Sequence, residues 1–147
     1  MSTAALTVTI RRPAADVFAV LTHLENAARW SRAIEETVIT PGPFGVGTRR
    51  RAVVPMVGGR TTENVMELTE FEPDRRLAMR SVSGFPFEVR IAIDLVPVGD
   101  DCRLDWLVSF EPGGVLRPTG PLLAAGYKRA FTKDLDNLKR LMEAGEL

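Results

Sequence analysis

The sequence predicts an α+β fold: a seven-stranded antiparallel sheet curved around one long C-terminal helix, with two short helices after the first strand. Three observations carry this reading. Apolar and polar residues alternate with period two in runs from Leu6 to Phe110, and Pro, Gly and Asp punctuate the runs. From Gly120 to Leu147 the period changes: Leu123, Tyr127, Phe131, Leu135, Leu138 and Met142 recur three or four residues apart, the spacing of one helix face. Alternation gives the sheet one apolar face, and that helix is its only long partner. Seven strands are much wider than a helix about 10 Å across, so the sheet must curl to be covered.

Leu6, Val8 and Ile10 alternate with Thr7 and Thr9, which predicts a first strand with one buried side; Arg11-Arg12-Pro13 ends it. Pro13 suits a helix start. Val17, Val20, Leu21 and Leu24 then form the apolar stripe of a short helix from Ala14 to about Leu24, with Asp16 near its positive end. Asn26 is the cap expected for a second short helix through Arg29 and Trp30. Six strands follow: Glu35 to Thr40, Gly47 to Val57, Arg60 to Phe71, Arg76 to Ser83, Phe87 to Leu95 and Leu104 to Phe110. Pro41-Gly42-Pro43, Gly58-Gly59, Glu72-Pro73-Asp74, Gly84 and Gly99-Asp100 supply the turns. Pro121 fits the first turn of the closing helix, which runs to Glu143 and stops near Gly145.

A chain of 147 residues is the usual size of one domain, so residues 1–147 are expected to fold as one. With 19 basic and 19 acidic residues the formal net charge is +0, so no global field draws in nucleic acid or an anionic membrane. Any partner must be recognised locally. One cysteine, Cys102, cannot make an internal disulfide, and the first residues carry no secretory signal pattern. No apolar run approaches the roughly 20 residues of a membrane-spanning helix. These features predict a soluble, cytoplasmic protein that does not insert into membranes, and they leave a homodimer open.

Further residues carry a resemblance. Ile10-x-x-Pro13-Ala14-x-x-Val17-Phe18-x-x-Leu21, then Trp30, Gly45-x-Gly47-Thr48, Phe71-Glu72-Pro73-x-Arg75-Arg76-Leu77, and the closing Leu135-x-x-Leu138-Lys139-x-x-Met142-Glu143 follow one another in the order of the predicted elements. Over nearly the whole chain this pattern resembles the START-like (SRPBCC) superfamily, with its polyketide cyclase/dehydrase-like and birch-pollen-allergen-like (Bet v 1-like) members. The resemblance implies the helix-grip fold and a deep hydrophobic cavity between sheet and helix, which binds lipids, sterols, polyketides or hormones. Only some members are enzymes. His23 stands where relatives often carry Asp seven residues before the Trp.

The residues themselves narrow the chemistry. His23 is the sole histidine and no nucleophile motif accompanies it, so a surface or capping role near the end of the first helix is expected. One His and one Cys some eighty residues apart lack metal-ligand spacing, and no metal or cofactor is expected. The glycines of Pro41 to Gly47 lead into a strand and not into a helix N-terminus, so they read as a turn and not a phosphate loop. In Arg49-Arg50-Arg51 neighbouring side chains face opposite sides of a strand, which sends at least one arginine inward while leaving open which. Arg49 and Arg51, with Glu63, are taken as polar ligand contacts, and Glu63 or Glu67 is the internal ion-pair alternative.

Trp30, Phe85, Phe87, Trp106, Phe110, Tyr127 and Phe131 come from different elements, yet alternation and helical phase aim most of them at one space. Ser81, Ser83, Gly84, Gly126 and Ala130 lie among them, and small groups beside large ones leave room. Gly126 costs a helix roughly 1 kcal/mol relative to Ala, which a close approach of a strand or ligand would explain. The expected ligand-binding set is therefore Trp30, Met79, Ser81, Phe85, Phe87, Trp106, Phe110, Leu123, Tyr127 and Phe131. Leu135, Leu138 and Met142 are expected to seal the core below it. The leading expectation is binding of a small hydrophobic or amphipathic molecule between sheet and helix. The alternatives are a polyketide cyclase/dehydratase-like enzyme acting on an aromatic or polyketide-type substrate, and, ranked last, a protein-interaction domain.

Overall fold

The structure is a computed structural model that describes residues 2–147. Strand β1 covers Ser2–Ile10, followed by α1 (Ala14–Thr22), a 3-10 turn at Leu24–Asn26 and α2 (Ala27–Trp30). The other strands are β2 (Glu35–Val38), β3 (Arg49–Pro55), β4 (Thr61–Glu72), β5 (Arg76–Ser83), β6 (Val89–Val98) and β7 (Asp101–Phe110). A 3-10 segment, Gly114–Thr119, leads into α3 (Gly120–Glu143). All seven strands form one antiparallel sheet in the order β1-β7-β6-β5-β4-β3-β2. β2 to β7 are thus a meander of hairpins, and β1 returns to pair with β7.

Register follows the apolar alternation, because a slip of one residue would turn each strand's core side chains to solvent. Leu6 lies opposite Trp106, Ile93 opposite Trp106 on the other side, and Leu77 opposite Ile93, so one inner face runs across the sheet. Two irregularities in the β4–β5 ladder, at Val65/Met66 and Leu68/Glu70, provide the bends of a curved sheet. At the β5–β6 turn Gly84 has φ +91°, and a Cβ there would stand 2.2 Å from the Glu63 carbonyl oxygen. Only glycine fits that close approach.

Leu135, Leu138 and Met142 are fully buried, as the helix periodicity predicts. Helix α3 lies along β1 and is pinned at its far end by charge. The Glu143 carboxylate accepts from the Arg11 backbone N–H at 2.9 Å and from Lys139 Nζ at 2.8 Å, while Arg12 Nε donates to the Met142 carbonyl at 3.0 Å. A cation on the last carbonyls of a helix also complements its dipole.

Several boundaries differ from the expectation. β1 begins at Ser2, not Leu6, because Ala4 and Ala5 carry little strand propensity yet pair with Val108 and Leu107. β6 and β7 meet at Gly99-Asp100, extending to Val98 and back to Asp101. α1 stops at Thr22, whose hydroxyl donates to the Phe18 carbonyl at 2.9 Å. Asn26 makes no side-chain cap to α2; it closes the preceding 3-10 turn instead. Gly126 lies in α3, but a Cβ there would meet nothing within 4 Å, so no strand approaches it. It stands about 100° around the helix from Tyr127, on the outer stripe.

Candidate functional site

The inner face of β2 to β5 carries the polar part of the site. Arg50 lies opposite Met66 and Val38, and its side chain is only 12 % exposed. Its Nη1 donates to Asn64 Oδ1 at 2.9 Å, its Nη2 reaches Met66 Sδ at 3.2 Å, and its Nε stands 3.3 Å from Glu36 Oε1. Burial pushes the Glu36 carboxyl above the usual carboxylate range, and the Arg50 charge pulls it back; burial likewise lowers Arg50, with Glu36 opposing. The pair is a largely desolvated cation and anion with a phenol close enough to feel the cation, since Arg50 acts on Tyr127.

Arg49, Arg51 and Glu63, expected as polar ligand contacts, lie on the outer face. Arg49 Nε bonds Glu67 at 2.9 Å, and Arg51 bonds Glu63 at 2.9 Å and Glu35 at 3.5 Å. The reason is strand parity. Ala52 is buried and opposite Asn64, so Arg50 shares its face while Arg49 and Arg51 take the other. The inward arginine is Arg50, and its internal partner is Glu36 from β2.

Beside this pair stands an aromatic cluster from three elements: Trp30 at the end of α2, Trp106 on β7, and Tyr127 and Phe131 on α3. Phe131 is central, with ring centroids 4.6 Å from Trp106, 5.3 Å from Tyr127 and 6.1 Å from Trp30. The Trp106 indole N–H donates to the Tyr127 hydroxyl at 3.2 Å, which leaves that hydroxyl's own proton to give. Burial raises the Tyr127 pKa well above its ordinary 10, so the phenol is neutral at physiological pH. Arg32 covers the outer side of its ring, with Cζ 6.0 Å from the centroid.

The remaining expected residues divide. Phe87 stacks on Phe110 at 5.6 Å, and Met79 and Ser81 sit on the inner face of β5, half-buried; Ser81 Oγ accepts from the Val89 N–H at 2.9 Å. Phe85 and Leu123 are exposed at the end of the sheet where α3 begins, so they stand at a rim and not in a wall. The cluster's centre is filled by rings in contact. Glu36, Arg50, Met79, Ser81, Phe87 and Tyr127 are among the inner-face side chains that keep partial access to solvent. A separate groove of about 400 Å³ runs outside, between the start of β1 and α3, lined by small residues and Lys128.

Asp134 had no place in the sequence reading. It is buried on α3, accepts from the Arg32 backbone N–H, and leaves Oδ2 without a hydrogen bond among the described residues; burial raises its pKa. His23 ends α1, exposed and paired with Glu25. Cys102 is buried on β7. Thr48 closes the glycine turn by accepting from the Gly45 N–H at 2.9 Å. No helix among the described residues is long and apolar enough to cross a membrane.

A curved meander gripping a C-terminal helix, with an aromatic cluster and a buried ion pair on the inner face, defines a helix-grip protein of START-like type. Residues 1–143 match the family described as polyketide cyclase / dehydrase and lipid transport, and the chain belongs to that family. A search of curated proteins gives no significant match. Among solved structures the chain is similar to the di-domain ARO/CYC BexL from a biosynthetic pathway, at 17% identity and TM-score 0.80, over 97% of this chain and 47% of that one. It is also similar to a Thermus thermophilus protein (18%, TM-score 0.78, 99% of each chain) and to a START superfamily protein from Mycobacterium smegmatis (14%, TM-score 0.70, 98% and 96%). At these identities the likeness is one of fold.

Proposed function

We propose that this protein binds a small amphipathic molecule in the cleft between α3 and the β2–β6 part of the sheet. The apolar body of the ligand lies against Met79, Phe87 and the Tyr127 ring, and its acidic, phenolic or carbonyl end meets Arg50 and the Tyr127 hydroxyl. One observation carries the reading: a guanidinium on the inner face, desolvated and held by Glu36 and Asn64, beside a neutral phenol that still has a proton to donate. Such a cation is costly to bury for packing alone, and a bidentate acceptor is the group it is built to receive. The family's description, which includes lipid transport, is compatible with an apolar ligand body.

Native mass spectrometry of gently purified protein tests this. A co-purified species of a few hundred daltons is expected with the wild type and lost with Arg50→Met/Glu36→Gln. Retention of the same species by that double variant removes Arg50 from the account.

A second reading is catalysis on an aromatic or polyketide-type substrate, favoured by Tyr127 itself. A phenol kept protonated beside Arg50 is a suitable general acid for a carbonyl that becomes an enol. Turnover of a polyketide-like substrate that Tyr127→Phe abolishes without weakening binding supports this reading; binding without turnover in the wild type refutes it.

A further inference from the structure

The neutral total hides a local asymmetry. From Pro112 to Lys133 the chain has no Asp or Glu, but it has Arg117, Lys128, Arg129 and Lys133. All four are exposed, and none is drawn into an ion pair among the described residues. The same segment carries Val115, 94 % exposed, and Leu122, 76 % exposed, with Leu116 and Leu123 exposed beside them. Along α3, Leu122, Arg129 and Lys133 are spaced i, i+7 and i+11, one outward stripe opposite the buried row of Phe131 and Leu138.

The tip is therefore apolar and its flank cationic. Nucleic acid would meet the cations but gain nothing from Val115 and Leu122. A bilayer interface with anionic headgroups rewards both at once: the apolar tip enters the boundary between headgroups and acyl chains, and the flanking charges hold it there. We infer that the Gly114–Lys133 face docks peripherally on an anionic phospholipid surface, with no segment crossing it. Phe85 and Met56, exposed on turns at the same end of the sheet, widen the apolar rim. The docking itself does not depend on the cleft's being occupied.

Co-sedimentation with large unilamellar vesicles tests the inference, using phosphatidylcholine alone and phosphatidylcholine with about a third phosphatidylglycerol. Binding is expected to the mixed vesicles only and to weaken as salt is raised. Each removed charge near such a surface weakens binding about fivefold, so Arg129→Gln/Lys133→Gln is expected to bind roughly 25-fold more weakly. Val115→Ser/Leu122→Ser is expected to lose at least tenfold, with an unchanged thermal melt in both cases because the sites are exposed. The cleft variant Arg50→Met/Glu36→Gln is expected to bind vesicles like the wild type, which separates this test from that of the cleft. The inference is overturned by equal binding to both vesicle types, by absence of binding, or by variants that bind unchanged. It is equally overturned if sedimentation shows a dimer that Val115→Ser/Leu122→Ser dissolves, since the patch is then a contact between two copies of this chain.

Discussion

Replacing Arg50 by Met isolates the ion pair that it forms with Glu36 on the inner face of the sheet. Met matches much of the arginine's apolar stem and cannot charge, so what is lost is one guanidinium and its bonds to Asn64, Met66 and Glu36. Both side chains of the pair are less than one-sixth exposed, so solvent screens little of the effect. Removing one partner of a largely buried pair leaves the other charge uncompensated and costs about 3–5 kcal/mol. The loss is expected near the lower end of that range, because both side chains keep some exposure. Its pH dependence has a fixed sign. Glu36 is already raised by burial, and without Arg50 it rises further above its unfolded value of 4.5. A raised carboxyl favours folding below its unfolded pKa and loses that advantage as pH rises through its folded pKa. Arg50→Met is therefore most destabilised at neutral pH, and its gap from the wild type narrows as the pH falls toward 4.5. Adding Glu36→Gln removes the stranded charge and is expected to restore most of the loss. Urea denaturation of the three proteins at pH 7 and pH 5 measures all of this. A single-variant loss below about 0.5 kcal/mol, the range of surface substitutions, with no pH dependence and no rescue, would mean that the pair stands in water.

Three other outcomes follow from particular positions. Gly126→Ala is expected to raise stability by about 0.5–1 kcal/mol, read from a denaturation midpoint, because its Cβ would enter open space on an exposed helix stripe. Gly84→Ala is expected to destabilise by more than about 1 kcal/mol in the same assay, since φ +91° and the Glu63 carbonyl both exclude a Cβ. Glu143 is held down to about 2 by Lys139 and the Arg11 N–H, so its stabilisation is complete above 4.5 and lost as pH falls from there toward 2. Glu143→Gln is accordingly expected to differ from the wild type at pH 7 and to converge with it near pH 2, in melts followed by circular dichroism.

Most of the fold was legible because burial and periodicity are local signals. Phe87 to Leu95 and the α3 stripe name their own elements, and the one-sided alternation requires a cover. The site was less legible for reasons of register. Three consecutive arginines hide their own parity, and only the buried Ala52 two residues on shows that the even positions face inward. Glu36 lies on a four-residue edge strand with weak alternation, so its meeting with Arg50 depends on a pairing of distant segments that no window of sequence contains. Asp134 sits between Lys133 and Leu135, where helical phase alone places it at the border of the buried face; the Arg32 backbone N–H that donates to it comes from a loop a hundred residues earlier. Gly126 misled because its helical cost suggests a reason in packing, and the structure gives none.

Both tryptophans, Trp30 and Trp106, stand in the aromatic cluster 6.5 Å apart, so tryptophan fluorescence reports on that cluster alone. The direct measurement is a fluorescence titration with a fused-ring aromatic carboxylate and with its uncharged primary amide, on the wild type and on Arg50→Met/Glu36→Gln. Saturable quenching by the carboxylate is expected in the wild type, with affinity at least tenfold weaker for the amide and for the double variant, as befits a charge-assisted hydrogen bond. Absence of saturable binding, or equal affinities across all four combinations, would contradict a cleft in which Arg50 receives the polar end of a ligand.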